Sequence, residues 1–233
     1  MISCPNCNEI NSNSFQICKK CGFILQDKIT NLDFFQTCWM ILESPIITFN
    51  KILRAEHKNF VILLFYGLIS TIIFIITWFN ASGKNFDNLI YYLLLIQLIS
   101  IVTFLPLGFV CALLIYLTSK IFQSKNSFIN CYAITGWSSM PLFFYFVIFV
   151  PIGLGIEGIS FVSSFTSNIT SNSILFYGIS IIFITYFFIL LIIGISSLFG
   201  SVGYVKFVKS FIIALMSLSI TIFIAVKILN QII

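Results

Sequence analysis

Residues 60–79 read FVILLFYGLISTIIFIITWF, twenty consecutive residues without a charge. At about 1.5 Å of helical rise per residue, such a run matches a bilayer hydrocarbon core of about 30 Å. It reads as one membrane span, ending at Trp78. Leu89–Thr118 is too long for one upright helix and too short for two spans with a turn. Pro106 and Gly108 offer a kink site there, so the run reads as one tilted, bent helix. Tyr132–Ile152, with Pro141 and Pro151, makes a third span, and the stretch Gly153-Leu154-Gly155-Ile156-Glu157-Gly158 is expected to break it. Ser173–Gly200 and Val208–Leu229 supply a fourth and a fifth. Lys227 is near enough to the last end to snorkel.

Composition points the same way. Of 233 residues, 59% are hydrophobic and only 8% charged, against the roughly 25% charged residues of a soluble domain. So few charges cannot cover a surface in water, and lipid is the expected solvent for most of the chain. The net charge of +5 suggests no nucleic-acid partner, because the basic residues flank apolar runs as topology determinants do.

The N-terminal 25 residues differ in kind. Cys4-Pro5-Asn6-Cys7 and Cys18-Lys19-Lys20-Cys21 form two C-x-x-C pairs separated by ten residues. Each pair can form a tight turn that presents two thiolates at about 2.3 Å to one ion, and four sulfurs complete the tetrahedron of structural zinc. Gly22 suits the left-handed position that closes such a turn, and Asn8 tolerates the same conformation after the first pair. The site is expected to be structural, because four cysteines leave no open position for water or substrate. A segment this short buries little, so metal binding must supply its folding free energy. Thiolates need a reducing compartment, which places this end in the cytosol. Met1 leads directly into the cysteine motif, so no signal peptide is expected. Cys38, Cys111 and Cys131 fall in or beside apolar segments and read as packing residues. His57 stands alone and reads as an interfacial polar residue.

Between ribbon and spans, residues 26–34 form a polar linker, and Phe34–Leu42 is apolar but too short to cross, so it should lie in the interface. Ser44-Pro45 reads as a helix start, with Ser44 as N-cap and Pro45 at the first helical position. Ile46, Phe49, Ile52 and Leu53 share one face, whereas Lys51, Arg54 and Lys58 gather on another. This is the pattern of a basic amphipathic helix whose apolar face enters the headgroup boundary while its cations meet an anionic leaflet. A solvated connector helix is the plainer alternative.

The chain thus divides into a zinc ribbon at 1–25, a linker with an interfacial amphipathic helix at 26–58, and a five-span all-α polytopic membrane domain at 59–233. Ten of the twelve basic residues lie before the first span, between 119 and 131, or between 201 and 209, regions that five spans place on one side. Only Lys84 and Lys227 fall on the other. The positive-inside rule therefore puts the N-terminus in the cytosol and the C-terminus outside, in the plasma membrane if the cell is prokaryotic.

Three segments resemble the Yip-domain family, membrane proteins named for interaction with Ypt/Rab GTPases. Ser44-Pro45 followed by Phe49 and Ile52 is similar to the Pro-x-x-x-Phe-x-x-Ile entry of bacterial and archaeal members. Cys131-Tyr132-Ala133, leading through Ser138-Ser139-Met140 to Pro141, is similar to the tyrosine-to-proline stretch that opens the family's third span. Gly200-Ser201-Val202-Gly203-Tyr204-Val205-Lys206 resembles its glycine-and-lysine turn. Leu42-Glu43-Ser44-Pro45 stands where eukaryotic members carry Asp-Leu-Tyr-Gly-Pro. The resemblance covers residues 35–230 and implies five spans behind a cytosolic N-terminal region, and a scaffolding or membrane-organising role.

Function reduces to three classes. A non-enzymatic scaffold whose ribbon recruits a cytosolic protein partner fits best, and a homo-oligomer stays open. A transporter or channel subunit for a neutral or hydrophobic substrate is the alternative. Against an ion path, the first four runs hold no acid, lysine, arginine or histidine, and Gln97 is their most polar side chain. An enzyme would need convergent acids, bases or an open metal site, and none is legible.

Overall fold

The computed structural model describes residues 2–4, 6–11, 18–21, 31–81, 89–122, 126–157, 171–199 and 204–232. Two short strands open the chain, β1 (Ile2–Ser3) and β2 (Ile10–Asn11), paired antiparallel with Ile2 opposite Asn11 and Ser3 opposite Ile10. Among the described residues every other element is helical: α1 (Phe34–Glu43), α2 (Pro45–Arg54), α3 (Val61–Ala81), α4 (Leu89–Ile121), α5 (Phe128–Ser138), α6 (Met140–Phe144), a π-helical turn (Tyr145–Phe149), α7 (Val150–Glu157), α8 (Ser171–Leu198) and α9 (Tyr204–Ile232).

Among the described residues, three stretches are long and apolar enough to cross a membrane: Ile96–Ile121 of α4, Gly178–Leu198 of α8 and Tyr204–Leu229 of α9. A fourth arises if Phe128–Ser138 and Met140–Ile156, bent 43° at Ser139, count as one broken span. Within α3, Val61–Ile76 is apolar but shorter. The outward sides of these helices are themselves apolar. Leu98 is 65% exposed, Val102 67%, Ile182 66% and Phe223 62%, surfaces that water would expel and lipid accepts. Hydroxyls on the same helices bond to their own preceding turn, as Ser100 does to the Ile96 carbonyl at 2.8 Å and Thr221 to the Ser217 carbonyl at 2.8 Å. That leaves few polar groups for lipid to meet.

The second apolar run is a single helix, α4, which is unbroken at Pro106 and continues to Ile121. The third differs from its expected form. The chain is helical from Phe128 and bends at Ser139, before Pro141, whose missing N–H cannot serve the carbonyl four residues back. A second interruption precedes Pro151, where the Val150 N–H donates to the Tyr145 carbonyl five residues earlier. The widened π turn removes the clash a proline ring would impose on a regular helix. The glycine-rich stretch, expected to break the helix at Gly153, stays helical to Glu157. In an apolar setting an unpaired backbone costs more than glycine's weak propensity, so the helix continues through it. Gly158 lies outside the described residues.

Packing is close where side chains are small. α3 packs most extensively on α4 and also meets α5, α6 and α9. A methyl at Gly67 would collide with the Phe143 backbone, and one at Gly136 would stand 2.5 Å from Val61 Cγ1. Hydrogen bonds cross the same contacts: Thr71 donates to the Leu142 carbonyl at 3.1 Å and Ser139 to the Leu64 carbonyl at 3.0 Å. Gln97 donates to the Tyr66 hydroxyl and so ties α4 to α3, a structural use that accounts for its place in an apolar run.

Candidate metal centre

The β1–β2 pairing closes the first cysteine turn. The Cys4 N–H donates to the Glu9 carbonyl at 2.9 Å and the Asn8 N–H to the Cys4 carbonyl at 2.8 Å. Asn8 takes φ 54°, the left-handed position expected of it, where an amide side chain costs less than a branched one. Gly22 lies outside the described residues.

All four predicted sulfurs, those of Cys4, Cys7, Cys18 and Cys21, lie within 4.8 Å of one another. Cys4 and Cys21 are 3.6 Å apart, as are Cys7 and Cys18. A disulfide would need about 2.05 Å, whereas four thiolates at about 2.3 Å from one ion stand about 3.8 Å apart along a tetrahedron's edges. The donor set and its spacing therefore fit a tetrahedral ion with four sulfur ligands, and the cluster can hold a metal.

The surroundings favour thiolate unevenly. Burial opposes the Cys18 thiolate, yet the backbone N–H groups of Cys21 and Lys20, the Asn11 amide and the Cys7 thiol stabilise it and bring its pKa down to about 6. At Cys7 the Glu9 backbone favours the thiolate, but burial and the sulfurs of Cys21, Cys18 and Cys4 outweigh it and push the thiol up to about 12. Sulfurs so close cannot all ionise without a cation between them. Asn11 was not legible as a contributor. Its Nδ2 donates to Cys18 Sγ at 3.5 Å and to the Glu9 carbonyl at 2.9 Å, while its Oδ1 accepts from the Lys19 N–H at 3.2 Å. A lone asparagine at the end of a two-residue strand carries no sequence signal for this role. Lys20 and Glu9 pair at 3.2 Å across the outside, an exposed contact of little energetic weight.

The other cysteines are apart from the cluster. Cys38, Cys111 and Cys131 are buried among apolar residues, in keeping with a packing role. His57 is exposed in the turn after α2.

The predicted basic helix is redistributed. Ser44 occupies the N-cap position of α2 but forms no side-chain cap. As the single residue between two helices it also ends α1, and both its N–H and its hydroxyl turn back to the Met40 carbonyl, at 2.8 and 3.5 Å. Phe49 and Ile52, expected to face headgroups, are fully buried, because α2 packs against α5 and α8. Lys58 stands beyond the end of α2. Its ammonium donates to the Ile52 and Leu53 carbonyls at 2.5 and 2.9 Å, filling acceptors that a helix terminus leaves open. Burial brings its pKa down to about 8. Lys51 is half-buried and contacts Met40 Sδ at 3.6 Å, and Arg54 remains exposed. The outward apolar side chains of this region are Phe35, Trp39, Leu42, Ile46 and Ile47.

Fold and site define a class: a helical protein with three helices long and apolar enough to span a membrane and a four-cysteine cluster that can bind metal. Comparison of the chain with family models, curated proteins and solved structures finds no match in any of the three.

Proposed function

We propose that the chain is a non-enzymatic membrane scaffold whose N-terminal ribbon binds one structural zinc and docks a cytosolic protein partner. One observation carries the reading: the four sulfurs lie within 4.8 Å of one another, close enough to fill a tetrahedral coordination sphere, which would leave a metal no position for substrate. Four-sulfur tetrahedral sites suit zinc or iron, and zinc needs no redox partner to serve as a staple.

Five spans complete the proposed membrane domain: α3, α4, the bent segment from α5 to α7, α8 and α9. α3 is 21 residues long, about 31 Å at 1.5 Å per residue, enough for a bilayer core. The N-terminus is cytosolic on this reading and the C-terminus exoplasmic, as thiol chemistry and the distribution of lysines both favour. Membership of the Yip-domain family belongs to the same proposal. The residues that carry the resemblance sit at packing points: Phe49 and Ile52 are buried, and Ser139 and Pro141 mark the bend. The anionic leaflet meets the α1–α2 hairpin through Arg54 and the exposed apolar side chains of α1.

Affinity capture with the intact protein and with Cys4→Ser/Cys7→Ser tests the reading. A cytosolic protein retained by the intact chain and lost from the zinc-free variant, with both proteins equally inserted in membrane, supports it. The same proteins retained by both would overturn the ribbon as docking module.

A further inference from the structure

Between α3, α6, α8 and α9 lies a cavity of about 400 Å³ walled by Thr71, Ile72, Ile76, Leu142, Phe188 and Leu218. Its wall is almost wholly apolar. The Thr71 hydroxyl is committed to the Leu142 carbonyl, so water entering here would find too few partners to stay. The volume is more than twice the roughly 150 Å³ that holds one benzene in a dry engineered cavity, room for a chain rather than for one small group.

The mouth decides the occupant. The exposed residues of the wall include Ile184 and Thr185 of α8 and Ile222 of α9, so the cavity opens on the α8–α9 side. Ile184 stands about 20 Å from either end of α8 at 1.5 Å per residue, a depth at which a spanning helix meets hydrocarbon and not water. What can enter from there is an alkyl chain. Moving a chain from lipid into this cavity gains no hydrophobic free energy, since both are apolar. It does restore the dispersion contacts that the wall of an empty cavity forgoes, and a packed wall restores them better than fluid lipid does.

We propose that the cavity binds one acyl chain of a phospholipid, entering sideways between α8 and α9. The proposal needs only that these two helices lie in the bilayer, and it stands or falls separately from the ribbon's role as docking module.

The full chain in nanodiscs, with a phospholipid carrying a diazirine midway along one acyl chain, provides the test. After photolysis and peptide mapping, labelling at Leu142 and Leu218 is expected to saturate as the mole fraction of probe rises, while labelling at Leu98 and Val102 on the lipid side of α4 rises in proportion. Ile72→Trp fills the cavity from α3, and Thr185→Phe narrows its mouth from α8. Either should abolish the Leu142 and Leu218 label and leave the α4 label unchanged, which also reports that the variant has folded. Labelling at Leu142 and Leu218 that is absent, or that stays proportional to probe in the native protein, overturns the site.

Discussion

Cys18 shows how much a single ligand depends on residues around it. Its sulfur is met by Cys7, by the Asn11 amide and by backbone N–H groups of the second turn. Groups that hydrogen-bond a metal ligand from behind typically govern about 10–100-fold of metal affinity, so Asn11→Ala should weaken zinc binding by that order in a chelator competition. The native chain should carry about one zinc, since each half of the tetrahedron comes from one C-x-x-C pair. Cys18→Ser should abolish it, whereas Cys38→Ser should leave the stoichiometry unchanged by elemental analysis of reduced protein. Metal-free native protein would remove the site. Glycines give a second test at this scale. Gly67→Ala forces a methyl into the Phe143 backbone and should cost about 1–3 kcal/mol. Gly178 has open space around it, so Gly178→Ala should leave stability level or raise it by up to about 1 kcal/mol. Thermal unfolding in one detergent compares the two, and equal losses would count against this packing.

The α1–α2 hairpin is the element whose role changed most once its packing was known. Asp33 caps α1 by accepting from the Gln36 N–H at 2.8 Å, and the Phe34 ring packs on Phe60 and Trp137 at centroid distances of 5.3 and 6.1 Å. With that side held by the bundle, Phe35, Trp39 and Leu42 recur at helical spacing on the outside, where Trp39 is 67% exposed. An indole favours the headgroup layer. In protein whose only tryptophan is Trp39 (Trp78→Phe, Trp137→Phe), nitroxide lipids labelled near the headgroup should quench its fluorescence more than lipids labelled at the chain end. Quenching by neither would leave the hairpin in water and return the segment to a plain connector.

For the whole molecule the decisive number is how often the chain crosses. Five crossings put a reporter fused after Ile233 outside the cytosol and one inserted at 121–127 inside it. Both reporters on one side would overturn five spans, and with them the placement of the ribbon opposite the C-terminus. The cysteine chemistry adds an independent constraint, because a ribbon exposed to an oxidising compartment would form disulfides and lose its metal.

Two things could be read from the chain alone because each is local. Ligand type and spacing defined the four-cysteine set, down to the left-handed turn at Asn8, since a tight turn needs only its own residues. Apolar runs of span length required helices, because a backbone without water must bond within its own segment. What the sequence could not determine depends on neighbours far along the chain. The turn of Ser44 toward Met40, the burial of Phe49 and Ile52, the return of Lys58 to the end of α2 and the cavity behind α8 and α9 all follow from which helices pack together. An apolar face looks the same in sequence whether lipid or another helix covers it, and only tertiary packing decides between them.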